Sequence, residues 1–510
     1  MSYLLGIDIG TSGTKTLLVD EDGNTRASKL VEYPLLTPQP GWAEQHPEEW
    51  WRATCQSIQA VLRKSRVKPA EIKGVGLSGQ MHGSVFLDEK GNVVRPCILW
   101  CDGRTAAECD EIMRTVGPQR MHELVSNPAL AGFTAPKVVW LRNHEPEKYA
   151  KVRQILLPKD YIRYRLTGAY AAEVSDAAGT VMFDVKNRRW CNELLELLKI
   201  PSEWLPPVYE SYDVCGHVAP SAARATGLAK GTPVVGGGAD NTCGAIGSGI
   251  VIEGRVMTSL GSSGVLFTPT DTPRVDPQER LHTFCHSTRR QWYLMGCMLS
   301  AGMSLRWYRD QMAEVERAAA KKKQADVYDI LMAQAQKTPL GAEGLFFLPY
   351  LMGERSPHKD PFARGAFVGL SFRHGKTHMV RAIVEGVTFA LRDSLEIMRG
   401  LGARLEQVRL IAGGAKSPFW RQVVADVFGL QIAIPKNTEG PAMGAAILAG
   451  VGAGVFGDFF ETTERILPIA SYADPNPQRH EQYDEFYSQF VKLYPALKGH
   501  YAEVGRLLKL

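Results

Sequence analysis

The chain has 510 residues, 45% of them hydrophobic and 22% charged, which is typical of a globular protein long enough for two domains with a cleft between them. Its 59 Lys and Arg residues exceed its 54 Asp and Glu residues by only five, too small a balance to indicate nucleic acid or a membrane surface as a partner. The nine cysteines contain no C-x-x-C pair, so they predict reduced thiols in the cytoplasm and no zinc site.

The N-terminal segment predicts a β-hairpin. Its pattern indicates a strand over 3–9, a small-residue turn, G-T-S-G-T, over 10–14, and a second strand over 15–20. Glycines let backbone N–H groups converge on an anion, and Thr and Ser hydroxyls add neutral donors. The turn is therefore a candidate phosphate site, with a purely structural turn as the open alternative. It is not a P-loop, because a strand and not a helix follows it.

Two charged residues of this hairpin allow two interpretations each. Asp8, in the first strand, fits either a ligand of hydrated Mg²⁺ or a cap for its own turn through the backbone of Gly10 or Thr11. Lys15 fits either a phosphate contact or an exposed strand charge.

Two later segments of the first half place polar residues after apolar strands. The run A-E-I-K-G-V-G-L-S-G-Q-M-H-G (70–83) predicts a short helical segment and a buried strand that ends in glycine. The run G-G-G-A-D-N (236–241) places Asp240 among glycines just after the apolar P-V-V. Because a buried carboxylate is costly unless it has partners or a task, Asp240 is a candidate functional residue. A helix N-cap for a segment beginning near Asn241 is the alternative.

The N-terminal pattern recurs about half the chain later. Residues 255–268 (R-V-M-T-S-L, G-S-S-G, V-L-F-T) repeat the strand, turn and strand, and Gly261 lies 251 positions after Gly10. This spacing indicates a duplicated domain. Strands and helices that alternate in two similar halves predict an α/β protein with mixed sheets, divided near 244–254.

The second half ends with two glycine-rich segments. In I-A-G-G-A-K-S-P-F-W (411–420), paired glycines end a strand where a flat base and a ribose fit on the backbone, and Ser417-Pro418 predicts a helix start. The uncharged stretch 440–457 approaches the length of a membrane span, but its six glycines and one proline favour a close-packed helix and turn.

The N-terminal M-S-Y-L-L-G-I-D has neither the basic segment nor the apolar core of a signal peptide, so none is expected.

Taken in order, these segments resemble the FGGY carbohydrate kinases. The resemblance extends over nearly the whole chain, through G-F-T-A-P-K-V-V-W-L (132–141), L-P-K-D-Y (157–161), S-D-A-A-G-T (175–180), L-P-Y-L-M-G-E-R-S-P-H (348–358) and G-A-F-V-G-L (365–370). It implies an α/β fold of two actin-like ATPase (ribonuclease H-like) domains, 1–247 and 248–510, whose mixed β-sheets are flanked by helices and enclose a cleft. It further implies a cytoplasmic, ATP-dependent sugar kinase that requires Mg²⁺, with a homodimer as an option.

The sugar and the base are also implied by the resemblance. The loop S-G-Q-M-H-G carries Met81-His82 where glycerol kinases carry an Arg-Glu pair, which implies a ketose, D-xylulose first. D-Ribulose, L-ribulose, gluconate or another polyol stay open, as does an actin-like ATPase without a sugar acceptor. Asp240 is implied as the catalytic base. The implied sugar-binding residues are Gln80, Met81, His82, Trp100, Asp102, Asp240 and Asn241, although Asp102 and Arg104 also fit a turn with a local ion pair.

The resemblance assigns the remaining polar and glycine positions to the nucleotide. The implied ATP-binding residues are Gly10, Thr11, Ser12, Lys15, Gly261, Ser262, Gly302, Gly413, Gly414 and Ser417. The implied Mg²⁺ ligands are Asp8 and Asp240. For Gly302, relief of crowding around a helix is the alternative.

Overall fold

The computed structural model describes residues 2–436 and 439–508, and its two largest sheets each contain seven strands. The strands of the first part of the chain are β1 (Tyr3–Ile9), β2 (Gly13–Asp20), β3 (Thr25–Glu32), β4 (Glu44–Gln45), β5 (Ile72–Gly79), β6 (Val85–Leu87), β7 (Cys97–Ile98), β8 (Gln154–Leu156), β9 (Ala172–Glu173), β10 (Phe183–Asp184), β11 (Arg189–Trp190), β12 (Val208–Tyr209), β13 (Val214–His217), β14 (Pro233–Val235) and β15 (Gly238–Ala239). Its helices are α1 (Pro47–Ser65), α2 (Ala106–Val116), α3 (Pro118–Val125), α4 (Thr134–His144), α5 (Pro146–Tyr149), α6 (Pro158–Thr167), α7 (Val174–Ala178), α8 (Asn192–Leu198), α9 (Pro220–Thr226) and α10 (Asp240–Ile246).

The second part of the chain also consists of both strands and helices. Its strands are β16 (Gly254–Leu260), β17 (Gly264–Thr270), β18 (His282–Cys285), β19 (Trp292–Met298), β20 (Phe346–Leu348), β21 (Ala366–Val368), β22 (Leu405–Ile411), β23 (Gln431–Pro435) and β24 (Ile469–Ala473). Its helices are α11 (Gly302–Gln311), α12 (Glu314–Lys323), α13 (Val327–Lys337), α14 (Lys376–Gly400), α15 (Pro418–Phe428), α16 (Pro441–Gly452), α17 (Phe459–Ile466) and α18 (Pro477–Leu507).

The two seven-stranded sheets repeat one topology. The first sheet has the order β3-β2-β1-β5-β14-β13, with β15 also paired to β5, and the second has the order β18-β19-β17-β16-β22-β23-β24. In the first sheet β1 is antiparallel to β2, and β1, β5 and β14 are parallel. In the second sheet β16 is antiparallel to β17, and β16, β22 and β23 are parallel. This repeat is what a duplicated α/β domain with mixed sheets predicts.

The local patterns in the sequence are found where they were predicted. The tips of the two hairpins lie between β1 and β2 and between β16 and β17. The second strand of the first hairpin begins at Gly13, two residues earlier than the sequence indicated. Strand β5 ends at Gly79, and α15 begins at Pro418 behind the Ser417 cap. Glycine turns and a Ser-Pro helix start are local signals, so they do not depend on tertiary context.

The small-residue helix α16 packs against the first sheet, although it lies in the second part of the chain. A Cβ at Gly6 of β1 would lie 1.9 Å from the carbonyl oxygen of Ala442, and a Cβ at Gly76 of β5 would lie equally close to that of Ala445, 1.9 Å. Glycines in the two central strands therefore let the helix backbone approach the sheet. The helix is short and fully packed, and none of the helices in the described residues has the length and apolar character needed to cross a membrane.

Candidate active site

Asp8 and Asp240 lie at the same edge of the first sheet. Asp8 of β1 is in register with Ser78 of β5, and Ser78 is in register with Gly238 of β15. Because these strands are parallel, their carboxyl ends meet at one edge, and Asp240 follows β15 there as the first residue of α10. The sheet thus brings together two acids that are separated by 232 positions in the sequence.

The Asp240 carboxylate is held in an environment that disfavours its charge. Burial, together with the negative charge of Asp8, raises the pKa of Asp240 to about 7, and the backbone N–H of Asn241 offsets part of this rise. That N–H donates to Oδ1 of Asp240 at 2.7 Å. Burial likewise raises the pKa of Asp8 to about 6, offset in part by the nearby Ser78 hydroxyl and Lys15. An acid with a pKa near neutrality is suited to exchange a proton at physiological pH.

Asp240 does not cap its helix from the N-cap position. The N-cap of α10 is Ala239, and Asp240 is the first helical residue. Its carboxylate lies in the first turn, where the helix dipole favours a negative charge. The alternative in which Asp240 is the N-cap residue of this helix is therefore wrong, because the helix begins at Asp240 itself.

The loop after β5 brings Met81 into contact with Asn241, the residue that follows Asp240. Asn241, next to Asp240, donates its side-chain N–H to Sδ of Met81 at 3.6 Å. His82 has a left-handed backbone with φ of 67°, and its Nδ1 lies 2.7 Å from the carbonyl oxygen of Gly179. A Cβ at Gly179 would come within 2.8 Å of the His82 ring and of the Met81 methyl group, so only glycine allows this contact.

The tautomer of His82 follows from that contact. A carbonyl oxygen only accepts, so Nδ1 carries the proton and donates to it. Burial and the charge of Lys137 lower the pKa of His82 to about 3, so the ring is neutral at pH 7. Nε2 is then left as a hydrogen-bond acceptor, the role needed to bind a sugar hydroxyl.

A chain of hydrogen bonds connects the first hairpin turn to the sugar loop. Nε1 of Trp100 donates to the hydroxyl of Thr11 at 2.9 Å, and this hydroxyl donates to Oε1 of Gln80 at 3.2 Å. Gln80 is 1% exposed and also donates to Oε1 of Gln45 at 3.1 Å. Trp100 is 45% exposed, so its ring is accessible to a ligand. Gln80 thus holds the Thr11 side chain from the protein interior, whereas Trp100 lies on the open side, which faces solvent.

Asp102 is turned away from this open side. Its carboxylate pairs with Arg104 through Nε at 2.9 Å and Nη2 at 2.7 Å, and it also accepts the backbone N–H of Ala43 at 2.6 Å. The side chain is 2% exposed. The structure therefore contains the local ion pair that was the alternative interpretation of this turn, and Asp102 fixes the loop that carries Trp100.

The nucleotide candidates of the second half meet around the second hairpin turn. The backbone N–H of Gly302 donates to the carbonyl oxygen of Gly261 at 2.8 Å, and a Cβ at Gly302 would lie 2.5 Å from that oxygen. Gly414 packs on Leu260, where an added Cβ would come within 2.6 Å of the leucine Cβ. Helix α11 and the turn at 413–414 can thus lie against the second hairpin turn because positions 302 and 414 are glycine.

Free backbone donors lie at both hairpin turns. The N–H groups of Thr11, Ser12 and Ser262 have no acceptor among residues 2–436 and 439–508. Ser417, by contrast, uses its hydroxyl to accept the N–H of Trp420 at 3.2 Å, and it lines a cavity of about 710 Å³. The turns thus keep donors available for an anion, as glycine-rich phosphate sites do.

Lys15 is engaged across the two halves of the chain. Its Nζ lies 2.5 Å from Oε2 of Glu439, which precedes α16. Both side chains are about one-third exposed. The lysine is therefore not a free strand charge, since a carboxylate already pairs with its positive charge.

Three buried polar residues near this site were not identified as functional from the sequence. Lys137 of α4 is fully buried, and its Nζ donates to the carbonyl oxygens of His82 and Gly132, both at 2.8 Å. Ser175 and Glu173 are also fully buried, and the Ser175 hydroxyl accepts the backbone N–H of Ala239 and donates to Glu173. All three fall in or beside the motifs G-F-T-A-P-K and S-D-A-A-G-T. A lysine inside an otherwise apolar helix run was the available signal for Lys137.

Comparison with known proteins identifies the family of the chain. The model of the FGGY family of carbohydrate kinases, N-terminal domain, matches residues 3–247, and that of the C-terminal domain matches residues 256–453. The chain is 38% identical to the xylulose kinase of Bacillus subtilis (strain 168), with 98% of each chain covered. It is 39% identical to the xylulose kinase of Escherichia coli (strain K12), with 97% of this chain and 99% of that protein covered.

The fold agrees with that assignment. The crystal structure of xylulose kinase from Rhodospirillum rubrum matches with a TM-score of 0.92 and 30% identity, over 98% of this chain and 100% of that one. The FGGY sugar kinases have the actin-like ATPase fold, so the predicted architecture of two α/β domains with mixed sheets is confirmed. The predicted enzyme class, an ATP-dependent sugar kinase, is confirmed as well, and an actin-like ATPase without a sugar acceptor is not favoured. The chain belongs to the FGGY family of carbohydrate kinases.

Proposed function

We propose that the chain phosphorylates D-xylulose with ATP and releases D-xylulose 5-phosphate and ADP. The substrate follows from the near full-length similarity to proteins named xylulose kinase. The observation that carries the chemistry is the placement of Asp240, whose neighbour Asn241 contacts the Met81-His82 loop. A proton acceptor and a set of sugar-binding groups thus share one site.

Asp240 acts as the general base in this proposal. An oxygen of the sugar hydroxyl forms a bond to the γ-phosphorus while the bond from that phosphorus to the β–γ bridging oxygen breaks. The hydroxyl proton passes to the Asp240 carboxylate, and the leaving oxygen stays on ADP. A pKa raised to about 7 suits this role, because the carboxylate accepts the proton readily yet is substantially ionised at neutral pH.

The sugar is held by groups whose chemistry matches hydroxyls. Nε2 of neutral His82 accepts one hydroxyl, the Asn241 amide supplies further polar contacts, and the exposed Trp100 ring covers an apolar face of the sugar. Met81 shapes the wall of this site. Gln80 and Asp102 are buried, and they act indirectly, by holding Thr11 and the Trp100 loop in place.

The phosphates and the adenosine lie between the two hairpin turns in this proposal. The free N–H groups of Thr11, Ser12 and Ser262 bind phosphate oxygens, and the backbone at Gly413 and Gly414 supports the base and the ribose. Lys15 joins the phosphate site after it leaves Glu439. Gly10, Gly261, Gly302 and Ser417 shape the turns that carry these donors.

The residues present also fit a magnesium ion. Oδ1 of Asp8 is buried without a hydrogen-bond partner, and carboxylate oxygens are preferred Mg²⁺ ligands. Among the residues the structure describes, no group of three acidic, His or Cys side chains could hold a metal by itself. Asp8, with Asp240 nearby, would therefore share Mg²⁺ with water and ATP phosphates. Bound Mg²⁺ supplies positive charge that stabilises the phosphates during transfer.

Closure of the two predicted domains, 1–247 and 248–510, brings the two turns together around ATP in this proposal. Closure excludes water that would otherwise hydrolyse the γ-phosphate. Small-angle scattering that shows no compaction with D-xylulose and a non-hydrolysable ATP analogue would count against it.

A cytoplasmic location is also proposed, because all nine cysteines are free thiols.

A coupled ADP-release assay tests the function. D-Xylulose is compared with D-ribulose, L-ribulose, gluconate and glycerol, and the expected result is the highest kcat/KM for D-xylulose. Asp240→Asn keeps the shape of the side chain and is expected to lower kcat by about 10²- to 10⁴-fold. A higher kcat/KM for another acceptor would overturn the substrate, and a near-normal kcat of the variant would overturn the base.

A further inference from the structure

Three fully buried hydroxyls meet directly below Asp240. We call the hydroxyls of Ser175 in α7, Thr242 in α10 and Ser287, which follows β18, the hydroxyl hub. The Ser287 hydroxyl lies 2.9 Å from that of Ser175 and 2.6 Å from that of Thr242, and the hydroxyls of Ser175 and Thr242 are 3.3 Å apart. All three side chains have no exposed surface, so their hydrogen bonds must be made within the protein.

The hub binds both polar backbone groups of the residue before Asp240. The backbone N–H of Ala239 donates to the Ser175 hydroxyl at 3.0 Å, and the Thr242 hydroxyl donates to the Ala239 carbonyl oxygen at 2.9 Å. That carbonyl belongs to the peptide bond between Ala239 and Asp240. Fixing the two groups fixes the orientation of this peptide and hence the direction in which the Asp240 side chain leaves the backbone.

The hub is tied to a buried carboxylate. Ser175 donates its proton to Oε1 of Glu173 at 2.9 Å and accepts from Ser287, and either partner of the contact between Thr242 and Ser287 can supply its proton. Glu173 is itself fixed, because it accepts the backbone N–H groups of Ser175 and Asp176 and pairs with Lys159 at 3.1 Å. The hydroxyl hub is therefore bonded to a buried carboxylate that is itself held by three other groups.

Ser287 comes from the other half of the molecule. It follows a strand of the second sheet, whereas Ser175, Thr242 and Ala239 flank the first sheet. A Cβ at Gly238 would lie 2.5 Å from Oγ of Ser287, so the serine packs directly against the strand that leads to Asp240. Ser287 thus gives the second half of the chain a direct contact with the segment that carries Asp240.

We propose that Ser175 and Ser287 are positioning residues for phosphoryl transfer: they orient Asp240, and Ser287 makes that orientation depend on the second half of the chain. This proposal rests on the assignment of Asp240 as the base. A merely structural role for the same hydroxyls would affect stability but not turnover. The two roles therefore predict different results for the same variants.

The test compares Ser175→Ala and Ser287→Ala with Ser211→Ala. Ser211 is an equally buried serine that donates to the other oxygen of Glu173 at 2.6 Å and has no bond to Ala239 or Thr242. Positioning predicts that Ser175→Ala and Ser287→Ala each lower kcat with D-xylulose by about 10- to 100-fold, with little change in KM for ATP. Ser211→Ala is expected to lower Tm to a similar extent while kcat stays within about twofold.

The double variant Ser175→Ala/Ser287→Ala gives a second readout. If both serines act through Ala239, the second substitution adds little to the loss of kcat caused by the first. A kcat for Ser287→Ala equal to that of Ser211→Ala overturns the proposal, and this arm is decisive even if Ser175→Ala does not fold. Asp240→Asn is measured in parallel. An active Asp240→Asn would refute the base, whereas an inactive Asp240→Asn with normal serine variants would refute the hub alone.

Discussion

Asp8 and Asp240 face one edge of the first sheet, and the charge of Asp8 adds to burial in raising the pKa of Asp240. Two neighbouring carboxylates repel each other, so full ionisation of both is favourable only when a cation lies between or beside them. In the proposed mechanism this pair would meet two requirements of phosphoryl transfer. It would keep the pKa of the proton acceptor near neutrality, and it would attract the positive charge that accompanies ATP.

The pH dependence of kcat/KM is expected to follow Asp240. A general base acts when it is deprotonated, so kcat/KM for D-xylulose should rise with pH, with a midpoint near the pKa of about 7. Below the midpoint the loss should approach about tenfold per pH unit. Steady-state assays from pH 5 to 9, with the coupling enzymes in excess, measure this profile. A flat profile between pH 5 and 8 would contradict the role of Asp240.

Local patterns allowed much of this site to be predicted, and long-range contacts account for what was missed. The turns that carry Thr11 and Ser262 could be predicted because glycine and hydroxyl residues define a turn within a few positions. The hydrogen bond between Ser175 and Ser287 joins residues 112 positions apart, and a single serine gives no signal for its partner. The packing of α16 on the first sheet was equally hidden, because a helix of small apolar residues presents no distinct face.

Replacing Asp240 with Asn is expected to stabilise the protein at high pH. The pKa of Asp240 is about 7 in the folded chain, above the ordinary value of 3.8, so the folded state binds this proton more tightly than the unfolded chain does. The carboxylate therefore costs stability as pH rises from about 4 to 7, and its removal should raise the free energy of unfolding by about 2 to 4 kcal/mol at pH 8.

Thermal unfolding at several pH values measures this effect. The Tm gain of Asp240→Asn should be several degrees at pH 8 and should shrink as pH falls toward 4. Asp22→Asn is the control, because Asp22 has an exposed side chain in a surface ion pair that contributes little to stability. Equal Tm values for wild type and Asp240→Asn at pH 8 would show that Asp240 is not in a charge-disfavouring environment.

Lys137 is expected to control sugar affinity through the His82 loop. Burial lowers the pKa of Lys137 to about 7, and its amine donates to the carbonyl oxygens of His82 and Gly132. Lys137→Met keeps the length of the side chain but leaves both carbonyls without this donor, which should loosen the left-handed backbone at His82. KM for D-xylulose should rise about tenfold, whereas KM for ATP should change little.

A graded control accompanies this variant. Thr134 also donates to the carbonyl oxygen of His82, at 3.1 Å, but it is one of two donors to that oxygen and has no bond to Gly132. Thr134→Val should therefore raise KM for D-xylulose less than Lys137→Met does. A Lys137→Met enzyme with a lower Tm but an unchanged KM for sugar would assign the lysine to stability alone.

The ion pair between Lys15 and Glu439 is expected to compete with ATP. Its atoms are 2.5 Å apart and connect the first hairpin to the segment before α16, so Glu439 and a bound phosphate would compete for the same positive charge of Lys15. Glu439→Gln removes the competing charge and should lower KM for ATP about two- to fivefold, since an ion pair with side chains about one-third exposed is worth up to about 1 kcal/mol. Lys15→Met should raise KM for ATP, and in the double variant the benefit of Glu439→Gln should disappear. If Glu439→Gln instead raised KM for ATP in the presence of Lys15, the pair would be part of the nucleotide site and not a competitor for it, because the glutamate would then hold the lysine where the phosphate needs it.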